Sequence, residues 1–204
     1  MKYLIAVSFL FCSCFFSLSA QNNYSFRDRL FFGGNFGSGG LFVSDRYTNF
    51  EISPHVGYYI TPAWSAGLGI IYEYYNNKYY PFTDQYGNLL GYDRFKTHIW
   101  GFRPFTNYVI VNDLHDWIPF LPNMRIFAHS EYEALSIERK AFDYHATGRE
   151  LFHSVLYGGG LRFPSGRRSS TNLTILWKQN LSKSKSRENT VNDSRPVIRI
   201  GINF

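Results

Sequence analysis

RPVIRIGINF (residues 195–204) ends the chain. Ile198, Ile200, Ile202 and Phe204 take every second position, with Arg199, Gly201 and Asn203 between them. A period of two is the mark of a β-strand whose two faces meet different surroundings. Chain ends ordinarily fray in water. A strand that runs to the last residue and closes on an aromatic ring therefore needs a neighbour along its edge and an apolar phase against its isoleucines.

Seven other stretches alternate in the same way. In residues 29–38, Leu30, Phe32 and Phe36 share a face, and Asn35 stands among glycines on the other. In 51–61, Ile52, Val56, Tyr58 and Ile60 oppose Glu51, Ser53 and His55; in 64–75, Leu68, Ile70, Tyr72 and Tyr74 oppose Gly67, Gly69 and Glu73. Residues 94–108 contain RFKTHIWGFRPF, which assigns no faces; a change of phase and a bulge are expected near Pro104. In 123–135, Ile126, Ala128, Ser130, Tyr132 and Ala134 oppose Arg125, His129, Glu131 and Glu133. In 153–163, Val155, Tyr157, Leu161 and Phe163 oppose Ser154, Gly158, Gly160 and Arg162; in 171–181, Leu173, Ile175 and Trp177 oppose Thr174, Lys178 and Asn180. Each span is close to the ~9–11 residues with which a tilted strand crosses a bilayer.

The connections alternate in length. Residues 41–50, 76–93, 136–151 and 182–194 are long; 61–62 and 165–170 are short, and 111–118 is modest. Outer-membrane barrels have short periplasmic turns and longer extracellular loops on an even number of strands. Aromatics make up 20% of the 204 residues, with 16 Tyr and 20 Phe, yet the mean hydropathy is −0.25. Alternation hides apolar residues in this way. The expected fold is all-β: an eight-stranded antiparallel up-and-down transmembrane β-barrel, with both termini periplasmic. A soluble sandwich or a lipocalin-like barrel is the alternative; a sandwich has no reason to keep loop length in phase with strand number.

The first residues, MKYLIAVSFLFCSCFFSLSA, read as a secretory signal: Lys2, an apolar run, then small residues before a cleavage site between Ala20 and Gln21. The domains are then 1–20, signal peptide, and 21–204, barrel. Cys12 and Cys14 do not follow a lipoprotein pattern, and they leave with the signal. The mature chain has no disulfide, thiolate nucleophile or cysteine metal site.

Glu51, His55, Glu73, Arg125, His129, Glu131, Glu133, Arg162, Lys178 and Arg199 fall on the lumen side of their strands. An eight-stranded barrel has an interior that side chains fill, and buried charges must pair. The expectation is a salt-bridged plug and a structural or surface-interaction role without catalysis. A narrow polar pathway or a small-ligand or ion site is the first alternative. A lipid A-modifying enzyme is the second. Its His-Ser candidates, His129-Ser130 and His153-Ser154, are strand neighbours that point to opposite faces, and the His-x-Ser-Asn pattern of deacylase barrels does not occur. The histidines have no metal-ligand spacing. GGNFGSGG (residues 33–40) lacks the Gly-Lys-Ser/Thr ending of a phosphate loop, so neither metal nor cofactor is expected. Expected partners are outer-membrane lipid, lipopolysaccharide phosphates at the basic loop residues Lys183, Lys185, Arg187 and Arg195, and the outer-membrane assembly machinery; nucleic acid is not one.

ISPHVGYYITPAWSAGLGIIYEYY (residues 52–75) resembles the second and third strands of small outer-membrane β-barrel proteins of the Bacteroidetes type, OmpX/OmpA-like barrels labelled as a porin family. LYGGGLRFPSGRRSSTNLTILW (156–177) and SRPVIRIGINF (194–204) resemble the family's closing strands, although Trp177-Lys178 stands where Tyr-Asn is commoner. The resemblance implies an OmpX/OmpA-like fold with no established activity. Some relatives carry an α-ketoglutarate decarboxylase label, for which this sequence has no thiamine-cofactor motif. Ile198, Ile200, Ile202 and Phe204 also resemble the C-terminal signal read by the outer-membrane assembly machinery.

Overall fold

The period-two stretches form eight strands after a single helical turn, α1 (Phe26–Arg29). They are β1 (Leu30–Gly37), β2 (Tyr47–Tyr59), β3 (Trp64–Thr83), β4 (Leu89–Val111), β5 (Arg125–Glu138), β6 (Arg149–Pro164), β7 (Ser170–Asn180) and β8 (Val197–Asn203). The computed structural model describes residues 25–37, 47–84, 86, 88–120, 122–139, 147–166, 169–182 and 196–204. The expected signal peptide with its Ala20–Gln21 cleavage site, and the basic residues Lys183, Lys185, Arg187 and Arg195, lie outside them.

Every strand pairs antiparallel with its sequence neighbour, and β1 pairs with β8, so the sheet closes into an up-and-down barrel. Closure answers the question posed by the chain end. Gly33 stands opposite Asn203 and Gly37 opposite Arg199. The Phe204 N–H donates to Phe32 O at 2.8 Å, and the Phe32 N–H donates to Phe204 O at 3.2 Å. The last residue is thus held on its backbone, and no edge is left there to fray.

The alternation predicted for β8 holds along its length. Ile198, Ile200 and Ile202 point outward, while Arg199, Gly201 and Asn203 are buried. The same is true of Leu68 and Ile70 against Ser65, Gly69 and Ile71 in β3, and of Leu173, Ile175 and Trp177 against Asn172, Thr174 and Leu176 in β7. Ile70 is 59% exposed and Ile200 53%; the exterior is apolar and the interior mixed.

Three expectations need correction. First, β4 has no change of phase at Pro104. Phe95, Thr97, Ile99, Arg103 and Asn107 are all buried, and His98, Trp100, Phe102 and Pro104 all point outward. The register is the same on both sides of the proline, with Phe102 opposite Ala134 and Phe105 opposite Glu131. The irregularities lie elsewhere, between Val109 and Val111 and in the β3–β4 hairpin. Pro104 has no N–H to give, and the β4–β5 ladder pairs neither Arg103 nor Pro104, but the register resumes unchanged at Phe105.

Second, residues 76–93 are not simply a loop. β3 and β4 continue as a two-stranded hairpin past the end of β2, and Asp84 closes its turn by accepting from the Tyr86 and Asn88 N–H groups at 2.9 and 2.8 Å. Third, the modest connection expected at 111–118 extends to Met124, whose carbonyl oxygen accepts from the Leu114 N–H at 2.9 Å.

The interior is layered. At the end carrying the long loops, Ile71, Ile99, Leu135, Ile137 and Phe152 form an apolar cluster, with Tyr75 packed against it. Charged residues fill the middle. Phe31, Phe105 and Phe127 sit among histidines and amides at the short-turn end.

Candidate functional site

Inward positions of five strands converge in the middle layer. Arg103 of β4, which carries no lumen role in the sequence reading, lies at its centre and is 1% exposed. Its Nη2 donates to Glu51 Oε1 at 2.6 Å and to Glu133 Oε1 at 2.8 Å, its Nη1 donates to Ser53 Oγ at 3.0 Å, and its Nε is 3.3 Å from Glu131 Oε2. Arg199 of β8 donates through Nη1 to Glu131 and through Nη2 to Glu133 Oε1 at 2.7 Å, with Nε 3.5 Å from Glu51. Lys178 of β7 donates to Glu133 Oε2 at 3.0 Å. Three carboxylates (Glu51, Glu131, Glu133) thus face three cations (Arg103, Lys178, Arg199). That matters because charges taken out of water are tolerated only when paired and hydrogen-bonded.

His129 borders this layer, with Nε2 2.9 Å from Glu131 Oε2 and Nδ1 2.5 Å from Asn107 Oδ1. The other expected lumen residues face inward but outside the lattice. Glu73 accepts from Asn49 Nδ2 at 2.5 Å and makes no ion pair with the described residues. His55 Nε2 meets Asn203 Oδ1 at 2.9 Å, between the rings of Phe31 and Phe105. Arg162 donates from Nε to Asn172 Oδ1 at 2.9 Å and lies 5.1 Å above the centre of the Phe127 ring. Arg125 stands opposite Arg162 in the β5–β6 register, and neither pairs with a carboxylate among the described residues. A single network of all ten side chains does not form: His55, Arg125 and Arg162 lie towards the short-turn end, and Glu73, although directly opposite Glu51 in the β2–β3 register, bonds to Asn49.

Sequence reasoning missed Arg103 because apolar residues flank it on both parities of RFKTHIWGFRPF. The signal that finds it is the Phe95, Thr97, Ile99 series, carried two residues at a time through Gly101 without a break at Pro104. It also missed two outward-facing pairs, Tyr72 hydroxyl with His98 Nδ1 at 2.8 Å and Tyr132 hydroxyl with His153 Nδ1 at 2.6 Å. These depend on cross-strand register, which no single strand reveals.

The His-Ser dipeptides are split across the wall. Ser154 is fully buried inside while His153 faces out, and His129 is inside with Ser130 outside. Among the described residues no group of three or more His, Cys, Asp or Glu is placed to hold a metal ion. The cavity at the short-turn end, about 30 Å³, is large enough for about two water molecules.

The fold is therefore a closed eight-stranded antiparallel barrel with charges paired across its lumen. No family model and no curated protein matches the chain. Among solved structures, it is similar to the N-terminal β-barrel domain of OprF from Pseudomonas aeruginosa, at 13% identity and a TM-score of 0.48, over 86% of this chain and 96% of that one. A likeness of that size carries no functional content.

Proposed function

We propose that the chain is an exported outer-membrane β-barrel with a structural or surface-interaction role, non-catalytic, its lumen closed by the charge lattice. The observation that carries this reading is the barrel's inversion: ionised side chains inside and an apolar wall outside. Its exterior has two aromatic levels. Trp64 stands opposite Tyr108 at the short-turn end, and Tyr72 opposite Trp100 with Tyr74 one step beyond at the other. At ~3.3 Å per residue and a ~40° tilt, Trp64 and Tyr74 are about 25 Å apart along the barrel axis, the height of a lipid-facing band between aromatic girdles. Ala66, Leu68 and Ile70 fill β3 between them. The signal-like N-terminus, the C-terminal strand that ends on Phe204 and the resemblance to Bacteroidetes-type barrels support the same reading. In it, both termini are periplasmic, the assembly machinery reads the last strand, and the long-loop end meets lipopolysaccharide phosphates.

The test is protein extracted from native membranes. It should run faster on SDS gels unheated than boiled, and it should leave planar lipid bilayers electrically silent. Recovery in the soluble fraction would sink the membrane assignment, and a steady conductance would sink the closed lumen.

A further inference from the structure

The ion pairs of the middle layer match three carboxylates to three cations, but among the described residues the short-turn half of the lumen has no such match for its arginines. Arg162 is 4% exposed and Arg125 is its direct cross-strand neighbour, and no carboxylate among the described residues pairs with either. Like charges directly opposite in a sheet repel, and an uncompensated buried cation is costly. Beside Arg162 lies the cavity of about 30 Å³. Its border is rich in donors. The Oδ1 of Asn172 is taken by Arg162 Nε, and the Oδ1 of Asn203 faces His55 Nε2, so both amides have their Nδ2 donors left for the space between. The Thr174 hydroxyl adds a further donor group. Glu131 is the carboxylate on this border, and its oxygens are already engaged by Arg199, Arg103 and His129.

We infer that this cavity is a binding site for a small monatomic anion of the chloride class, held by Arg162 with the amides of Asn172 and Asn203. Its volume suits a single compact ion. The ion supplies the counter-charge that no carboxylate among the described residues gives to Arg162. Gly33 makes room for the His55–Asn203 pair on this border: a Cβ there would meet Asn203 Oδ1, His55 Nε2 at 2.6 Å and the Ile202 carbonyl oxygen at 2.5 Å.

The experiment uses the full-length protein purified in a nonionic detergent, compared in sodium chloride, sodium bromide and sodium gluconate at equal ionic strength. A ligand that binds only the folded state raises its melting point, so the midpoint of heat-induced mobility change should be higher in either halide than in gluconate. Crystals grown in bromide should show an anomalous peak within hydrogen-bond reach of Arg162 and Asn172. Asn172→Asp places a carboxylate beside Arg162, so the variant should lose both the peak and the halide dependence. Equal midpoints in all three salts with no bromide peak would mean that the cavity holds only water and would overturn the proposal. So would a halide effect that persists undiminished in Asn172→Asp. If that variant does not fold, the salt comparison and the bromide map on the parent protein still decide.

Discussion

Replacing Arg103 by Met tests the charge lattice most directly, because the guanidinium touches Glu51, Glu131 and Glu133 at once. Methionine keeps much of the stem and removes the charge. Three carboxylates would then share Arg199 and Lys178, leaving one negative charge uncompensated in a water-poor interior. Breaking a buried ion pair by removing one partner costs about 3–5 kcal/mol, a loss of roughly two to three and a half powers of ten in the folded-to-unfolded ratio. Removing Glu51 as well should recover part of this. Its other contact is the 3.5 Å approach of Arg199 Nε, and without it two cations again face two carboxylates. The double variant Arg103→Met with Glu51→Gln should therefore be more stable than Arg103→Met alone, with a coupling of about 0.5–3 kcal/mol. Urea titration of the barrel folded in lipid vesicles, followed by tryptophan fluorescence and by gel mobility, measures both. If the single variant matches the parent within about 0.5 kcal/mol, or the double is less stable than the single, the lattice is not what holds the lumen.

Ile200→Arg puts a cation on the outer wall, and at mid-bilayer it should cost ~2–4 kcal/mol of folding stability in vesicles; no loss would show that the outer wall does not face lipid. Gly33→Val should crowd the His55–Asn203 pair and the Ile202 carbonyl, an overpacking cost of about 1–3 kcal/mol, read in the same titration. Replacing residues 79–92 with an Asn-Gly turn should leave the heat-dependent gel shift unchanged, since among the described residues that part of the β3–β4 hairpin pairs with no other strand.

The number of strands and the faces of β2, β7 and β8 were legible because apolar residues dominate one parity of each, with few exceptions such as Tyr59, Leu176 and Val197 on the other. β4 was not, because its lumen face carries Phe95, Ile99 and Phe105 and its outer face Trp100, Phe102 and Pro104. Where both faces are apolar, the hydrophobic pattern loses its phase. The apolar layer of Ile71, Leu135, Ile137 and Phe152 was hidden for the same reason, and so the sequence reading made the lumen more uniformly charged than it is. The hairpin over 77–93 was read as a loop because Asn, Pro, Asp and Gly crowd it, although two strands pairing only with each other tolerate such residues at their tip. Of the ten expected lumen residues, all face inward, yet which of them touch depended on register. Glu131 meets Arg199 although 68 positions separate them, and no local pattern carries that information.

Alternation couples the two surfaces of the wall, which gives the charges of the lumen a structural role. A strand that slips by one residue against its neighbours turns every side chain to the other face. In β5 such a slip would carry His129, Glu131 and Glu133 outward together, and in β8 it would expose Arg199 while bringing Ile198 and Ile200 inside. On a lipid-facing wall each of these charges would be penalised, while inside, the partners left behind would be stranded. An all-apolar lumen of the same volume would pack as well but would tolerate the slip, because Ile and Leu are at home on either face. The six paired charges therefore act as a register lock spread over β2, β4, β5, β7 and β8. The backbone bonds between Phe204 and Phe32 fix the remaining seam, where β8 is short and has the fewest residues with which to find its own register.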